Sequence, residues 1–91
     1  MKDPLVSVII PTKNSSTTLP KCLDSIAVQT YKNIEIIIVD NNSEDATIDI
    51  GKRYTNKIFT LGPERSVQVN YGVSIASGKY IYRVDSDFVL E

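Results

Sequence analysis

The fold is decided by the stretch NIEIIIVDNNSED, residues 33–45. Its near-continuous Ile and Val content predicts a strand over residues 33–39 that is covered on both faces. A polar segment follows, in which Ser43 is the predicted N-cap of a helix. Glu44 and Asp45 would then lie in the first helical turn, where their charges suit the helix dipole. The stretch therefore predicts a buried strand that ends in a polar loop and leads into a helix.

The alternation of strand and helix patterns continues on both sides of this stretch. Strands are predicted over residues 5–10, where Pro11 ends the run, and over residues 57–61 and 80–84. Helices are predicted where apolar residues recur three or four positions apart. These stripes are Leu19, Cys22, Leu23, Ile26 and Ala27, then Ala46, Ile50 and Tyr54, and finally Val69, Val73 and Ala76, with Gly78 as a stop. The order β-α-β-α-β-α-β predicts an α/β fold with a parallel sheet.

Length and composition exclude several classes of protein. With 91 residues, the chain has room for one small domain. The net charge is −1 with both signs interspersed, so there is no basic surface for nucleic acid. The apolar runs are too short for a transmembrane segment. Histidine is absent, which excludes a Ser-His-Asp triad and a His-bearing zinc site. Cys22 has no partner for an internal disulfide, so we expect a buried, reduced thiol and a cytoplasmic location.

Polar residues follow all four predicted strands. The segments are PTKNSS, DNNSED, GPERSVQVN and DSD. Ligands of open parallel sheets bind at the carboxyl ends of the strands, so these segments predict a binding site. Neither the dinucleotide fingerprint nor the phosphate-binding P-loop pattern is present. The pattern leaves other roles open: Asp40 could cap the following turn, Arg65 could be a surface charge, and Asn70 and Gly72 could be ordinary helix residues.

Two aspartates, Asp85 and Asp87, follow the last predicted strand. Residues two apart on extended backbone project to the same side, and like charges so close repel each other. A hard divalent cation between them would remove the repulsion, and oxygen ligands suit Mg²⁺ or Mn²⁺. D-x-D is a common tripeptide, so the two aspartates alone leave a structural role open.

Four segments together resemble the N-terminal half of a family 2 glycosyltransferase of the GT-A fold. They are VSVIIPTKN, IEIIIVDNNSED, ERSVQVNYG and ASGKYIYRVDSD, and their order and spacing make the resemblance specific. It runs from about residue 6 to residue 87. The resemblance implies a three-layer αβα Rossmann-like parallel sheet of four strands in the order 3-2-1-4. It also implies that residues 1–91 form a nucleotide-diphospho-sugar-binding domain, a truncated GT-A fold without the acceptor half.

The resemblance implies a nucleotide-binding role for several residues. Pro11, Thr12 and Asn14 match the loop that borders the base and ribose, and Asp40 matches the aspartate that hydrogen-bonds the base. Arg65 lies in a loop that can reach the diphosphate or the base. Many members have an Arg where this chain has Val69, so Arg65 is expected to supply the positive charge.

The resemblance also implies a metal site. Asp85 matches the aspartate near the ribose and the metal, and Asp87 matches the metal ligand that bridges to the diphosphate, with Mn²⁺ or Mg²⁺ as the cofactor. Asn70 and Gly72 match the N-x-G of the helix that precedes the last strand.

The implied reaction is inverting transfer of a sugar from a nucleoside diphosphate sugar, with UDP favoured, to an acceptor hydroxyl. The general base is expected beyond Glu91, so no catalytic residue is assigned and the chain is not expected to complete transfer alone. A standalone nucleotide-binding module and a non-catalytic remnant are the alternatives.

The same topology places the fourth strand at an edge of the sheet. An edge strand rich in Tyr, Ile and Val can pair with another chain. We therefore expect a homo-oligomer through this edge or through nearby apolar surface.

Overall fold

The predicted alternation of strands and helices is confirmed in the computed structural model, which describes residues 3–29 and 31–89. The elements, in chain order, are β1 (Val6–Thr12), α1 (Leu19–Ala27), β2 (Ile34–Asp40), α2 (Thr47–Gly51), β3 (Ile58–Thr60), α3 (Arg65–Ile75) and β4 (Tyr80–Arg83). Each strand lies within one residue of its predicted limits, except that β1 starts one residue later and ends two residues later. Among the described residues, no helix is long and apolar enough to cross a membrane.

The sheet is parallel and has the strand order β3-β2-β1-β4. The strand pair β1 and β2 forms its centre, in a register that runs from Val6 opposite Ile34 to Thr12 opposite Asp40. β4 lies beside the first part of β1 and forms one edge. The order 3-2-1-4 implied by the resemblance is therefore confirmed.

Alternate residues of the central strands face opposite sides, which gives the protein three layers. Val8 and Ile10 of β1 pack with Leu23 of α1 and Ile50 of α2 on one face. Ile9 of β1 packs with buried residues of β2, and α3 covers that second face. Both faces of the central pair are therefore covered, as the near-continuous apolar sequence of β2 predicts.

The prediction that Pro11 ends the first strand is wrong. The Ile9 carbonyl accepts a hydrogen bond from the Val84 N–H. The backbone N–H and C=O groups of every second residue of β1, counted from Ile9, therefore point towards β4. Pro11 faces the same side, but the pairing of β1 with β4 ends at Ile9 opposite Arg83. The missing N–H of Pro11 therefore removes no hydrogen bond between strands, and β1 continues to Thr12.

The predicted start of the second helix is also wrong. Ser43 does not cap a helix, because its N–H and its hydroxyl both donate to the Asp40 carboxylate, at 2.7 and 2.6 Å. α2 begins only at Thr47. Ala46 is exposed instead of facing inward, whereas Ile50 is buried as expected.

The third helix is present but presents a different face to the sheet. Gln68 and Gly72 are its buried residues, and Val73, predicted to face inward, is 42% exposed. A Cβ on Gly72 would lie 2.5 Å from Ile9 Cγ2, so the glycine allows α3 to approach β1 closely. Gly78 does not end the helix, which already stops at Ile75.

A polar cluster ties the connection after α3 to the amino ends of β1 and β2. The buried Glu35 carboxylate accepts hydrogen bonds from the Ser7 hydroxyl, from Lys57 and from the Ser77 N–H, the last at 2.7 Å. The Ser7 oxygen in turn accepts from the Gly78 N–H at 2.8 Å. Burial raises the pKa of Glu35, but the bonds from Lys57, Ser7 and Ser77 outweigh this and lower it to about 2.

Candidate functional site

A cavity of about 320 Å³ lies where β1 and β2 end and α3 begins. This is the position expected for a ligand site of an open parallel sheet. All four strand-end segments contribute to its lining, but the segments that start at Asp40 and at Asp85 contribute one residue each, Asn41 and Ser86. The lining residues are Pro11, Thr12, Lys13, Ser15, Asn41, Pro63, Arg65, Gln68 and Ser86.

The loop after β1 is fastened to the loop after β2. Asn14 has a positive φ of 48°, which Asn tolerates better than most residues. Its N–H donates to the Ser43 hydroxyl at 2.7 Å, and its side-chain oxygen accepts from the Glu44 N–H at 2.8 Å. The Ser15 N–H donates to the Thr47 hydroxyl at 2.7 Å. Asn14 therefore holds one wall of the cavity in place and does not line it.

Asp45 fastens the same two loops from the other side. Its carboxylate accepts hydrogen bonds from the Thr47 hydroxyl and, at 3.1 Å, from the Ser16 N–H. The bond from Thr47, followed by those from Ser16, holds the pKa of Asp45 well below its usual range. The carboxylate therefore remains charged and paired at all physiological pH values.

Asp40 is enclosed beneath the cavity. Its side chain has no exposed surface, and its carboxylate accepts from the Thr12 hydroxyl at 2.5 Å as well as from Ser43. A carboxylate with these partners stabilises the loop and offers no atom to a ligand in this conformation. In this conformation Asp40 caps the loop, and the base contact that the resemblance implies stays a prediction.

Asn41, the next residue, reaches the cavity instead. Its side-chain N–H donates to the Pro63 carbonyl at 2.8 Å, which joins the loop after β2 to the segment before α3. No sequence signal distinguishes Asn41, because Asp40 is the more conspicuous polar group at the end of the strand. A primary amide beside a ligand can both donate and accept hydrogen bonds.

The charges around the cavity favour an anion. Lys13 and Arg65 are both among its lining residues, and no carboxylate is. The Lys13 ammonium donates to the Asn42 carbonyl at 3.3 Å, and the Arg65 guanidinium forms an ion pair with Asp85. Two cations at the mouth of one polar cavity suit the two phosphates of a nucleoside diphosphate.

The segment after β4 closes the cavity from the side of α1. The Ser86 hydroxyl donates to the Ser15 hydroxyl at 3.0 Å. The Cys22 thiol, which is buried in α1, donates weakly to the Asp85 carbonyl at 3.6 Å. Burial, followed by the nearby charge of Asp87, raises the pKa of Cys22 to about 11, so the thiol stays protonated. Both contacts position the D-x-D segment against the end of β1.

Asp85 and Asp87 are both exposed residues. Within residues 3–29 and 31–89, no three or more His, Cys, Asp or Glu side chains are grouped so as to hold a metal ion. Of these two carboxylates, that of Asp85 is paired with Arg65.

The sequence-predicted site residues thus divide into three groups. Pro11, Thr12 and Arg65 line the cavity, and Asp85 reaches it through its ion pair with Arg65. Asn14 and Asp40 lie behind the cavity wall, where they hold the loops together. Asp87 lies on the exposed segment after Ser86 and is not a lining residue. Neither Asn70, which is exposed, nor Gly72, which packs on Ile9, lines the cavity.

Comparison with known proteins shows which family the chain is similar to. The sequence model of glycosyl transferase family 2 matches residues 7–91. The glycosyltransferase GlyA of Streptococcus pneumoniae is 41% identical over 95 residues, which cover 98% of this chain and 14% of GlyA. Glycosyltransferase GlyG of the same organism is 37% identical over 94 residues, 96% of this chain and 31% of GlyG. The chain therefore spans less than a third of each of these relatives.

Solved structures show the same similarity. Residues 1–349 of TarS from S. aureus superpose with a TM-score of 0.86 at 31% identity, over 93% of this chain and 28% of that one. The same part of TarS has been solved in complex with UDP. The mannosyltransferase PcManGT of Pyrobaculum calidifontis, solved with GDP-Man and Mn²⁺, has a TM-score of 0.85 at 25% identity, over 97% of this chain and 29% of that one.

A GT-A fold, a cavity at the strand ends and a family match over nearly the whole chain define one class of protein. The chain belongs to glycosyl transferase family 2.

Proposed function

We propose that this chain is the donor-binding portion of an inverting, metal-dependent glycosyltransferase. It binds a nucleoside diphosphate sugar, with UDP favoured, in the cavity between β1, β2 and α3. The observation that carries the proposal is the lining of that cavity, which contains two cations and neutral polar groups but no carboxylate. Similarity to TarS, which has been solved with UDP, supports the choice of nucleotide.

The diphosphate would lie near Lys13 and Arg65. Both side chains only donate hydrogen bonds, and the guanidinium can contact two phosphate oxygens at once. Pro11 and Thr12 at the end of β1 and Asn41 at the end of β2 would border the base and ribose. Asp40 would act from below, because its bonds to Thr12 and Ser43 fix the shape of that border.

The residues present fit a hard divalent cation. Asp85 and Asp87 supply only oxygen ligands, and Mg²⁺ is commonly held by one or two carboxylates together with substrate phosphates. Mn²⁺ accepts the same oxygen ligands. Bound there, the ion would neutralise charge on the departing nucleoside diphosphate. The similar mannosyltransferase PcManGT was solved with Mn²⁺, which supports this assignment.

In this function the chain binds the donor, and none of its described carboxylates serves as the general base. Asp40 and Glu35 are buried and engaged in hydrogen bonds, and Asp85 and Asp87 would hold the metal. A cytoplasmic location stays a prediction, based on the reduced thiol of Cys22.

Calorimetric titration with UDP in the presence of Mn²⁺ tests the proposal. We expect the wild-type chain to release or absorb heat, and Asp87→Asn to weaken binding at least about tenfold because one metal ligand loses its charge. Asp49→Asn is the matched control, since Asp49 is an exposed carboxylate on α2 outside the cavity lining, and it should bind UDP as the wild type does. Wild-type protein that gives no heat with UDP would contradict the proposal, as would an Asp87→Asn variant with unchanged affinity.

A further inference from the structure

Gln68 is a buried polar residue in the wall of the cavity. It lies in the first turns of α3, is 4% exposed and faces the sheet. No apolar periodicity marks it, and the sequence analysis did not single it out. Glutamine is seldom buried, so its position calls for a physical reason.

The side-chain amide of Gln68 joins the ends of two strands. Nε2 donates to the Thr12 carbonyl at 3.1 Å and to the Val39 carbonyl at 2.7 Å. These two bonds use both amide hydrogens and fix the orientation of the group. The reverse orientation would place Oε1 against two carbonyl oxygens and is excluded by repulsion. Oε1 therefore points away from the strand ends.

Oε1 of Gln68 accepts no hydrogen bond from the part of the chain that the structure describes. In that same part, every fully buried side-chain nitrogen or oxygen has a partner. Oε1 must therefore retain contact with solvent, and the space that Gln68 lines is the cavity. An otherwise buried side chain thus presents one unused acceptor to the ligand site.

We propose that Gln68 is a specificity-determining residue of the nucleotide site, in which Oε1 accepts a hydrogen bond from an N–H or O–H group of the nucleoside. This inference rests on the proposed function. Lys13 and Arg65 only donate, and the carboxylate of Asp40 is enclosed, so Oε1 joins the Asn41 side-chain oxygen and the serine hydroxyls of the lining as an acceptor for the donors of a bound nucleoside. The imide N–H of the base and the hydroxyls of the ribose are the two sources of such a donor.

The experiment combines changes in the protein with changes in the ligand. Calorimetric titrations with Mn²⁺ present compare the wild type with Gln68→Met. The ligands are UDP, N3-methyl-UDP, 2′-deoxy-UDP and 3′-deoxy-UDP. We expect the wild type to bind one analogue about tenfold more weakly than UDP, because that analogue leaves Oε1 unpaired. The affected analogue identifies the base or the ribose as the source. Gln68→Met should bind UDP and that analogue equally.

A purely structural role of Gln68 predicts a different result. Loss of the strand clamp alone would weaken all four ligands by the same factor in Gln68→Met and would leave the wild-type ratio between them intact. That outcome would overturn the inference, and so would a wild type that binds all four ligands equally. A wild type that binds none of them would overturn the proposed function together with the inference.

Two further variants keep the test decisive. Gln29→Met is the matched control, because Gln29 also donates its side-chain amide to a backbone carbonyl, that of Ser25, at the far end of α1. It should discriminate between the ligands as the wild type does. If Gln68→Met does not fold, Gln68→Asn replaces it: the shorter amide withdraws the acceptor, and we again expect loss of discrimination.

Discussion

At the scale of single residues, the two buried carboxylates of β2 hold the fold, and the exposed carboxylates after β4 are available to a ligand. Glu35 and Asp40 both lie on β2, at opposite ends, and each is satisfied by bonds from neighbouring segments. Asp85 and Asp87 lie on the exposed segment after β4. Sequence reasoning predicted the position of all the aspartates at the strand ends. It could not predict which are enclosed, because enclosure depends on hydroxyl partners distant in the chain, such as Thr12 for Asp40.

Glu35→Gln is expected to lower the free energy of unfolding at pH 7 by about 1–3 kcal/mol, since it removes charged hydrogen bonds in a buried site. The folded-state pKa of about 2 lies below the ordinary value of 4.5. The stabilisation is therefore complete above about pH 4.5 and is lost as the pH falls through about 2. Urea denaturation at pH 7, 4 and 2.5 should show the difference between wild type and variant shrinking in that order.

Glu44→Gln is the control for this prediction, because Glu44 is an exposed residue. We expect it to change the free energy of unfolding by less than about 0.5 kcal/mol at each pH. An effect of Glu35→Gln that is the same at all three pH values would show that the charge of this carboxylate does not contribute to stability.

Arg65→Gln tests the ion pair with Asp85, on the assumption that the proposed function is correct. The change should weaken UDP binding about tenfold because a phosphate contact is lost. Mn²⁺ alone should bind equally well or better, since Asp85 no longer has a competing cation. Calorimetry for UDP and electron paramagnetic resonance for Mn²⁺ measure the two effects. Arg53→Gln is the control: Arg53 is an exposed arginine outside the cavity lining, and its change should alter neither UDP binding nor Mn²⁺ binding. Weaker Mn²⁺ binding in Arg65→Gln would refute the competition between Arg65 and the metal for Asp85.

At the scale of elements, the sequence predicts the strands more accurately than it predicts which face of a helix lies inside. Strands β1 and β2 are apolar on both sides, so their burial needs no knowledge of their neighbours. In α3 the apolar period predicted Val73 as an inward residue, but Gln68 and Gly72 occupy the inner face. Gly72 lies inside because it allows close packing, and Gln68 lies inside because it bonds two backbone carbonyls. Neither residue contributes to an apolar sequence pattern. The start of α2 was missed for a similar reason, because Asp40 takes the hydrogen bonds of Ser43.

Gly72→Ala tests the close approach of α3 to β1. Alanine is the better helix former by about 1 kcal/mol, so helix propensity alone predicts stabilisation. The new Cβ would lie 2.5 Å from Ile9 Cγ2, however, and must displace the helix or the isoleucine. We expect a net loss of about 1–3 kcal/mol in the free energy of unfolding, as measured by urea denaturation. Ser74→Ala on the exposed side of α3 serves as the control, and a Gly72→Ala variant as stable as the wild type would contradict the described packing.

At the scale of the whole molecule, the β4 edge of the sheet is exposed. All four residues of β4 are exposed, and Tyr80, Ile81 and Tyr82 present apolar surface there. The exposed Phe88 and Val89 extend this surface beyond the strand. The sequence predicted this edge through the strand order, which the structure confirms. Self-association through the edge stays a prediction.

Ile81→Lys tests whether the β4 edge mediates association. We expect the wild-type chain to form dimers or larger assemblies in sedimentation or light-scattering measurements, and the lysine to shift them towards monomer because a charge on an edge strand opposes pairing. Val28→Lys is the control, since Val28 is 75% exposed and follows α1 instead of lying on β4. A wild type that remains monomeric at high concentration would count against an oligomer of this kind.

The central claim is that the polar cavity at the strand ends binds a nucleoside diphosphate. The most direct measurement is the change in backbone amide NMR signals on addition of UDP, first without and then with a small amount of Mn²⁺. We expect the shifted signals to belong to residues 12–15, 41, 65–68 and 86, and Mn²⁺ to broaden those of residues 85–87 first. Signals that do not move, or that move instead around Glu35 at the opposite end of the sheet, would contradict it.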